Sequence, residues 1–197
     1  MTVFVIGNGE SRKGLDFNTL QGKTYGSNAL HRDFNCDHLT CCDKRMVKEA
    51  LDNDFTGPIY TRPEWANDFV QPNVHVLPPF TWPEVQKWEQ HWHCGSGLHS
   101  VHLALTHGHD HLVIVGYDLF GIEEKHNNVY KDTPNYESSD YHAVDPSHWI
   151  PQFERMFSIY PNVQFDYYVP RGWRVPKEWQ KCKNLDLYTR VQGMQTL

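Results

Sequence analysis

Two short segments combine small residues, an amide and a hydroxyl in the manner that an anion or sugar site requires. Gly7-Asn8-Gly9-Glu10-Ser11 follows the apolar run Val3-Phe4-Val5-Ile6. In open α/β sheets ligands bind beyond the carboxyl ends of strands, where paired glycines let backbone amides approach a phosphate or a sugar ring. A tight structural turn would use the same residues, and the segment lacks both the third glycine of a dinucleotide fingerprint and the Lys-Ser/Thr ending of a P-loop. The second segment, Cys94-Gly95-Ser96-Gly97, opens a predicted helix over Ser96–His107. The unpaired first-turn amides, the positive end of the helix dipole and the Ser96 hydroxyl would suit an anion. Alternatively, Ser96 simply caps that helix.

A third group of reactive side chains lies in residues 120–148, where aliphatic residues nearly vanish and Tyr130, Tyr136, Tyr141, His126, His142 and His148 are interspersed with acids and amides. A stretch of this length without an element of its own reads as a functional lid outside the core. The thirteen histidines suggest metal binding, above all His107-Gly108-His109-Asp110-His111. The metallo-hydrolase spacing fails there by one residue, and a surface turn between helix and strand accounts for the segment more simply. His91 and His93 precede Cys94 on a polar loop that does not require them as ligands. Gly95-Ser96-Gly97 lacks the spacing of a nucleophile elbow, so no nucleophilic serine is expected.

The elements that would hold these segments alternate. The run Val3–Ile6 reads as a strand covered on both faces, as in a parallel sheet. Lys23–Asn28, His38–Cys42, Pro58–Thr61, Val74–Leu77 and Leu112–Val115 are further strand candidates. Val163, Phe165 and Tyr167 alternate in a last strand that Pro170 closes, and the stretch after Trp179 reads as a short helix or tail. Helices are predicted from Asp43, as cap, through Leu51, over Pro83–Trp92, and over Ser96–His107 with Leu98, Val101 and Leu105 on one stripe. The expectation is α/β: a single Rossmann-like nucleotide-binding domain over residues 1–197, with a mostly parallel sheet, helices on both faces and a lid at 120–148.

Composition supports one folded domain, with 197 residues, 39% apolar and 21% charged. A net charge of −6 argues against a nucleic-acid partner while leaving room for a small anion in a local pocket. No run approaches the ~20 apolar residues of a membrane span, and Met1-Thr2-Val3-Phe4 enters a strand without a leader pattern. Cys36, Cys41, Cys42, Cys94 and Cys182 follow no paired spacing, so reduced thiols and a cytoplasmic location are expected.

The ordered set Val5-Ile6-Gly7-Asn8-Gly9-Glu10-Ser11, Leu15-Asp16, Leu20, Tyr25-Gly26-Ser27-Asn28, Gly95-Ser96-Gly97, Ala104-Leu105, Gly108 and Val115-Gly116-Tyr117-Asp118 spans most of the chain. In it the sequence resembles the bacterial sialyltransferases of glycosyltransferase family 42 and their superfamily, which includes flagellin-modifying and 6-hydroxymethylpterin pyrophosphokinase-like proteins. The resemblance implies a metal-independent glycosyltransferase with no cofactor, moving a sugar from a CMP-linked nucleotide-sugar donor to a glycan or small hydroxyl acceptor. It places Gly7, Asn8, Gly9, Ser11, Asn28, Gly95, Ser96, Gly97 and Asp118 around the donor. Tyr130 falls on the leaving phosphate, and His142 or His148 supplies the general base. The sequence departs from the family at Phe120, where a lid tyrosine would stand and whose donor Tyr136 or Tyr141 would have to replace. It departs also at Glu10 for proline, Gly95 for threonine and His93 for an acceptor-side arginine. A Mg-dependent pyrophosphokinase-like phosphotransferase and a non-catalytic nucleotide-binding protein are the alternative readings. A homo-oligomer is allowed by all three.

Overall fold

A computed structural model describes residues 1–80, 94–190 and 194–197. The helix expected over Pro83–Trp92, and with it His91 and His93, lies outside the described residues. The strands are β1 (Thr2–Ile6), β2 (Lys23–Ser27), β3 (His38–Thr40), β4 (Ile59–Thr61), β5 (Val74–Val76), β6 (His111–Val115), β7 (Gln164–Pro170) and β8 (Leu185–Arg190). They form one sheet in the order β5-β4-β3-β2-β1-β6-β7-β8, and every neighbouring pair runs parallel. The helices are α1 (Lys44–Asp52), α2 (Pro63–Ala66), α3 (Ser96–Thr106) and α4 (Trp149–Ile159).

Side chains alternate across a strand, so β1 feeds two cores. Val3 and Val5 join the cluster containing Leu98, Val101, Phe153 and Phe157 of α3 and α4, while Ile6 joins the one containing Met46, Val47 and Ala50 of α1. Helices therefore cover both faces of a parallel sheet, as the apolar runs predict. Within α3 the expected single stripe is too narrow: His99, Ser100, His102, Leu103 and Ala104 are buried along with Leu98, Val101 and Leu105. Gly108, at φ +82°, ends the turn that follows α3.

Asp43 occupies the cap position of α1 as expected, although its carboxylate accepts no bond from the helix. Two expectations are corrected. The region after Trp179 holds more than a short helix or tail: a 3-10 turn over Lys177–Lys181 leads into β8, which pairs along β7 from Phe165 with Leu185 to Pro170 with Arg190, so β7 is not the last strand. Residues 120–148 hold no α-helix, but they are not wholly outside the core. Tyr130 is 6% exposed and packs in the α1-side cluster, and the Val129 amide donates to the Asn8 carbonyl at 2.8 Å.

Candidate functional site

Strand order reverses between β1 and β6: successive strands step one way from β1 to β5, then β6 starts again on its other side. The strand ends at such a switch point are where open α/β sheets bind ligands. A cavity of about 310 Å³ lies there. Its walls come from the ends of β1, β2, β3, β4 and β6, the start of α3, residues 126–128 and 143–144, and Trp149 and Phe153 of α4. From β6 to β4 is four strand spacings, roughly 19 Å at about 4.8 Å each. The volume is at the lower end of what small-molecule sites occupy.

The post-β1 loop is held against the post-β6 loop by the Gly7 amide donating to the Val115 carbonyl at 2.8 Å and the Gly9 amide donating to the Gly116 carbonyl at 2.7 Å. A Cβ on Gly7 would lie 2.3 Å from the Gly116 oxygen, and one on Gly9 would lie 2.5 Å from Cγ of Asp118. These glycines are thus needed first for loop-to-loop packing. Asn8 between them is 8% exposed; its Nδ2 donates to the Ser27 carbonyl at 2.9 Å, and its buried Oδ1 has no partner. A buried amide oxygen without a donor is destabilising, and a ligand hydroxyl or amine would satisfy it.

Ser96 does not cap α3, because the cap position is Gly95. Its hydroxyl accepts the Cys42 amide at 2.9 Å and donates to Oδ1 of Asn28 at 2.8 Å, so one side chain ties the ends of β2 and β3 to the helix. Asn28 sits at φ +51°, a conformation asparagine tolerates better than most residues. The first-turn amides of α3 remain available at the cavity wall, since a helix offers them no internal acceptor.

Asp118 is 4% exposed; burial pushes its carboxyl up, against the opposing pull of the Ser11 hydroxyl and the Ser11 amide, the latter donating at 2.9 Å. Ser11 itself does not line the cavity and acts by holding Asp118. Gly7, Asn8, Gly9, Asn28, Gly95, Ser96, Gly97 and Asp118 all line it. Glu10 turns away: burial pushes its carboxyl up, but bonds from Lys131 at 2.6 Å and Lys13 at 3.1 Å outweigh this and hold it low.

The residues expected to perform catalysis lie elsewhere. The Tyr130 hydroxyl is engaged behind the cavity, donating to Asp33 at 2.8 Å and accepting from Arg12 at 2.7 Å, and burial pushes the phenol up. His142 is exposed, with its backbone bridged to Lys125, and His148 is exposed, with Nε2 3.0 Å from Nε2 of Gln152. None of the three lines the cavity. Tyr141 is also exposed, and the Tyr136 hydroxyl stands 3.4 Å from Nδ2 of Asn8 without reaching the cavity wall. Phe120 does line it, edge-on to Trp173.

The histidine that the fold does bring to the cavity is His126. Burial pushes its imidazole below the ordinary value, its amide donates to the Tyr141 carbonyl at 2.8 Å, and its buried Nε2 has no partner. No spacing rule distinguishes it from its neighbours in the sequence. Arg62, directly after β4, carries no motif in the sequence either, although the rule that ligands gather beyond strand ends applies to it as much as to Asn8.

His107 and His109 flank the Tyr25 hydroxyl at 2.8 Å and 3.0 Å, while His111 bridges Thr2 and Asp166 at 2.8 Å each. Among the described residues no group of three His, Cys, Asp or Glu side chains is arranged to hold a metal ion, and no helix is long and apolar enough to cross a membrane. Compared with family models, curated proteins and solved structures, the chain has no match in any of the three.

Proposed function

We propose that the protein transfers a sugar from a nucleotide-activated donor, CMP-linked as the resemblance implies, to a hydroxyl acceptor, with His126 as general base. The observation that carries this reading is the convergence on one switch-point cavity of the Asn8 amide oxygen, the α3 amide turn and an unpartnered imidazole nitrogen. The Asn8 oxygen would accept a hydroxyl or amine of the donor. His126 Nε2 would take the acceptor's proton as its oxygen bonds to the anomeric carbon, while the bond from that carbon to the nucleotide phosphate breaks and leaves its electron pair on the phosphate oxygen. Burial favours the neutral imidazole that such a base must be, and the scheme requires no metal ion.

One observation favours a second reading, nucleotide binding without catalysis: neither the tyrosine nor the two histidines assigned from the resemblance reach the cavity. Melting curves with CMP, UDP, GDP and ADP test the site, with stabilisation by CMP expected and indifference to all four overturning it. His126→Ala should reduce transfer about 10²- to 10⁴-fold while CMP still raises the melting temperature. Full activity in that variant together with loss in His142→Ala would move the base to His142, and CMP binding with no transfer by the wild type would favour the non-catalytic reading.

A further inference from the structure

Among the described residues Arg62 is the only lysine or arginine that lines the cavity. Its nearest carboxylate, Glu64, stands at 4.0 Å, and its buried Nε has no hydrogen-bond partner. A guanidinium partly withdrawn from water without a matched acceptor is unfavourable, and arginine's planar fork suits a bidentate oxyanion. Arg62 also lies close to the helix. It stands beside Cys42, whose thiol burial pushes up and the Arg62 charge pulls back, and the Cys42 amide donates to Ser96 Oγ at 2.9 Å, so β4, β3 and the first turn of α3 meet at one wall. Asp43 and Asp118 line the cavity too, but Asp43 is exposed to water and Asp118 is held by Ser11. Independently of the helix, the Asn8 side chain, over nine-tenths buried with an unsatisfied oxygen on the same cavity, marks the space as a place for a ligand.

We propose that Arg62 and the first-turn amides of α3 clamp one oxyanion of the ligand, the phosphate that departs when the sugar is transferred. This rests on the transfer reading given above. In that step the bond between the anomeric carbon and the phosphate oxygen breaks, its electron pair stays on that oxygen, and the phosphate gains a negative charge. Something must face that charge. Phe120 has no hydroxyl, and Tyr130 is turned to Asp33 and Arg12. Arg62 and the helix amides are donors at the cavity able to meet it, and such preorganised donors act most strongly where charge develops. Arg62 is then a catalytic residue as well as a binding one.

Calorimetric titration of the full chain with cytidine and with cytidine monophosphate tests the clamp. The wild type is expected to prefer the monophosphate by about 30-fold or more, and Arg62→Gln to reduce that preference to about threefold or less while affinity for cytidine stays the same. Arg62→Lys, which keeps the charge but loses the fork, should give an intermediate ratio and serves if the glutamine variant does not fold. An unchanged ratio in both variants overturns the clamp with the nucleotide site intact. A variant that loses affinity for a free sugar acid but keeps the nucleotide ratio overturns it in favour of a carboxylate. If the wild type binds neither cytidine nor its monophosphate, the transfer reading fails separately and pyrophosphate becomes the probe. Stabilisation of the wild type but not of Arg62→Gln would retain the clamp, and stabilisation of neither would overturn it.

Discussion

Tyr130 closes a charge pair behind the cavity wall. Its hydroxyl lies between the Asp33 carboxylate and the Arg12 guanidinium, and both guanidinium groups of Arg12 and Arg32 sit over its ring at 5.2 Å and 5.1 Å. Arg12 is 4% exposed, so the phenol helps satisfy a buried cation. Tyr130→Phe would keep the ring and remove the two hydrogen bonds. The variant should lose about 1 to 3 kcal/mol of stability in urea unfolding, with nucleotide affinity unchanged. A fall in affinity without a fall in stability would instead put the hydroxyl on the ligand. That Asn8, Asn28, Ser96 and Gly97 would gather at the strand ends was legible because each follows a strand or starts a helix, and those positions have a geometric meaning before any fold is known. His126 carried no such mark. Its distinction is burial beside the cavity, which arises only when residues 120–148 fold back over the strand ends, and that path is set by contacts such as Val129 with Asn8 and Tyr130 with Arg12.

At the scale of elements, the face of the sheet toward α3 carries a cluster that depends on neutral histidine. His38 of β3 stacks on Tyr25 of β2 at 4.7 Å, His107 after α3 meets His38 edge-on at 4.9 Å, and His107 and His109 both bond the Tyr25 hydroxyl. Burial pushes His38 down to about 4, assisted by His107 and Lys23 and opposed by Asp37, and burial pushes His107 and His109 down as well. In the unfolded chain these rings titrate near ~6.5. Below that pH the unfolded chain takes up protons that the folded chain refuses. The stability from the neutral cluster is therefore complete above about 6.5 and is lost as pH falls toward 4. Between pH 7 and pH 5 the wild type should lose about 1 to 2 kcal/mol from His38, allowing for solvent at a partly exposed ring. His38→Phe, which keeps the stack, should lose correspondingly less over the same interval; equal losses would exclude His38 as the titrating group. The strands around this cluster were legible as short segments with β-branched or aromatic residues, set off by polar stretches between them. β8 was not, since Leu185-Asp186-Leu187-Tyr188-Thr189-Arg190 is a polar edge strand whose buried end is an arginine, the residue type least expected there.

For the molecule as a whole, that arginine joins the last strand to the first loop. Arg190 is 1% exposed; its Nε donates to the Ser11 carbonyl at 2.8 Å, and its terminal nitrogens donate to the carbonyls of Thr196, at 3.0 Å, and Met194. Ser11 in turn holds Asp118, and Asp118 lines the cavity, so a chain of bonded groups runs from the far edge strand to the site. Arg190→Met would fill much of the same volume and withdraw all the donors. The Ser11 residue is buried, so the lost bond to its carbonyl is not fully replaced by water, and about 2 to 4 kcal/mol should be lost. For a domain of this size that is a fall of roughly 5 to 10 °C in melting temperature. Thr189→Ser, one residue earlier and exposed to water, should leave it nearly unchanged. If the two variants melt together, β8 is only an appendage to the edge of the sheet. If Arg190→Met alone falls, and nucleotide affinity falls with it, then the loop after β1 is braced from the opposite end of the chain, and the cavity depends on the entire sheet.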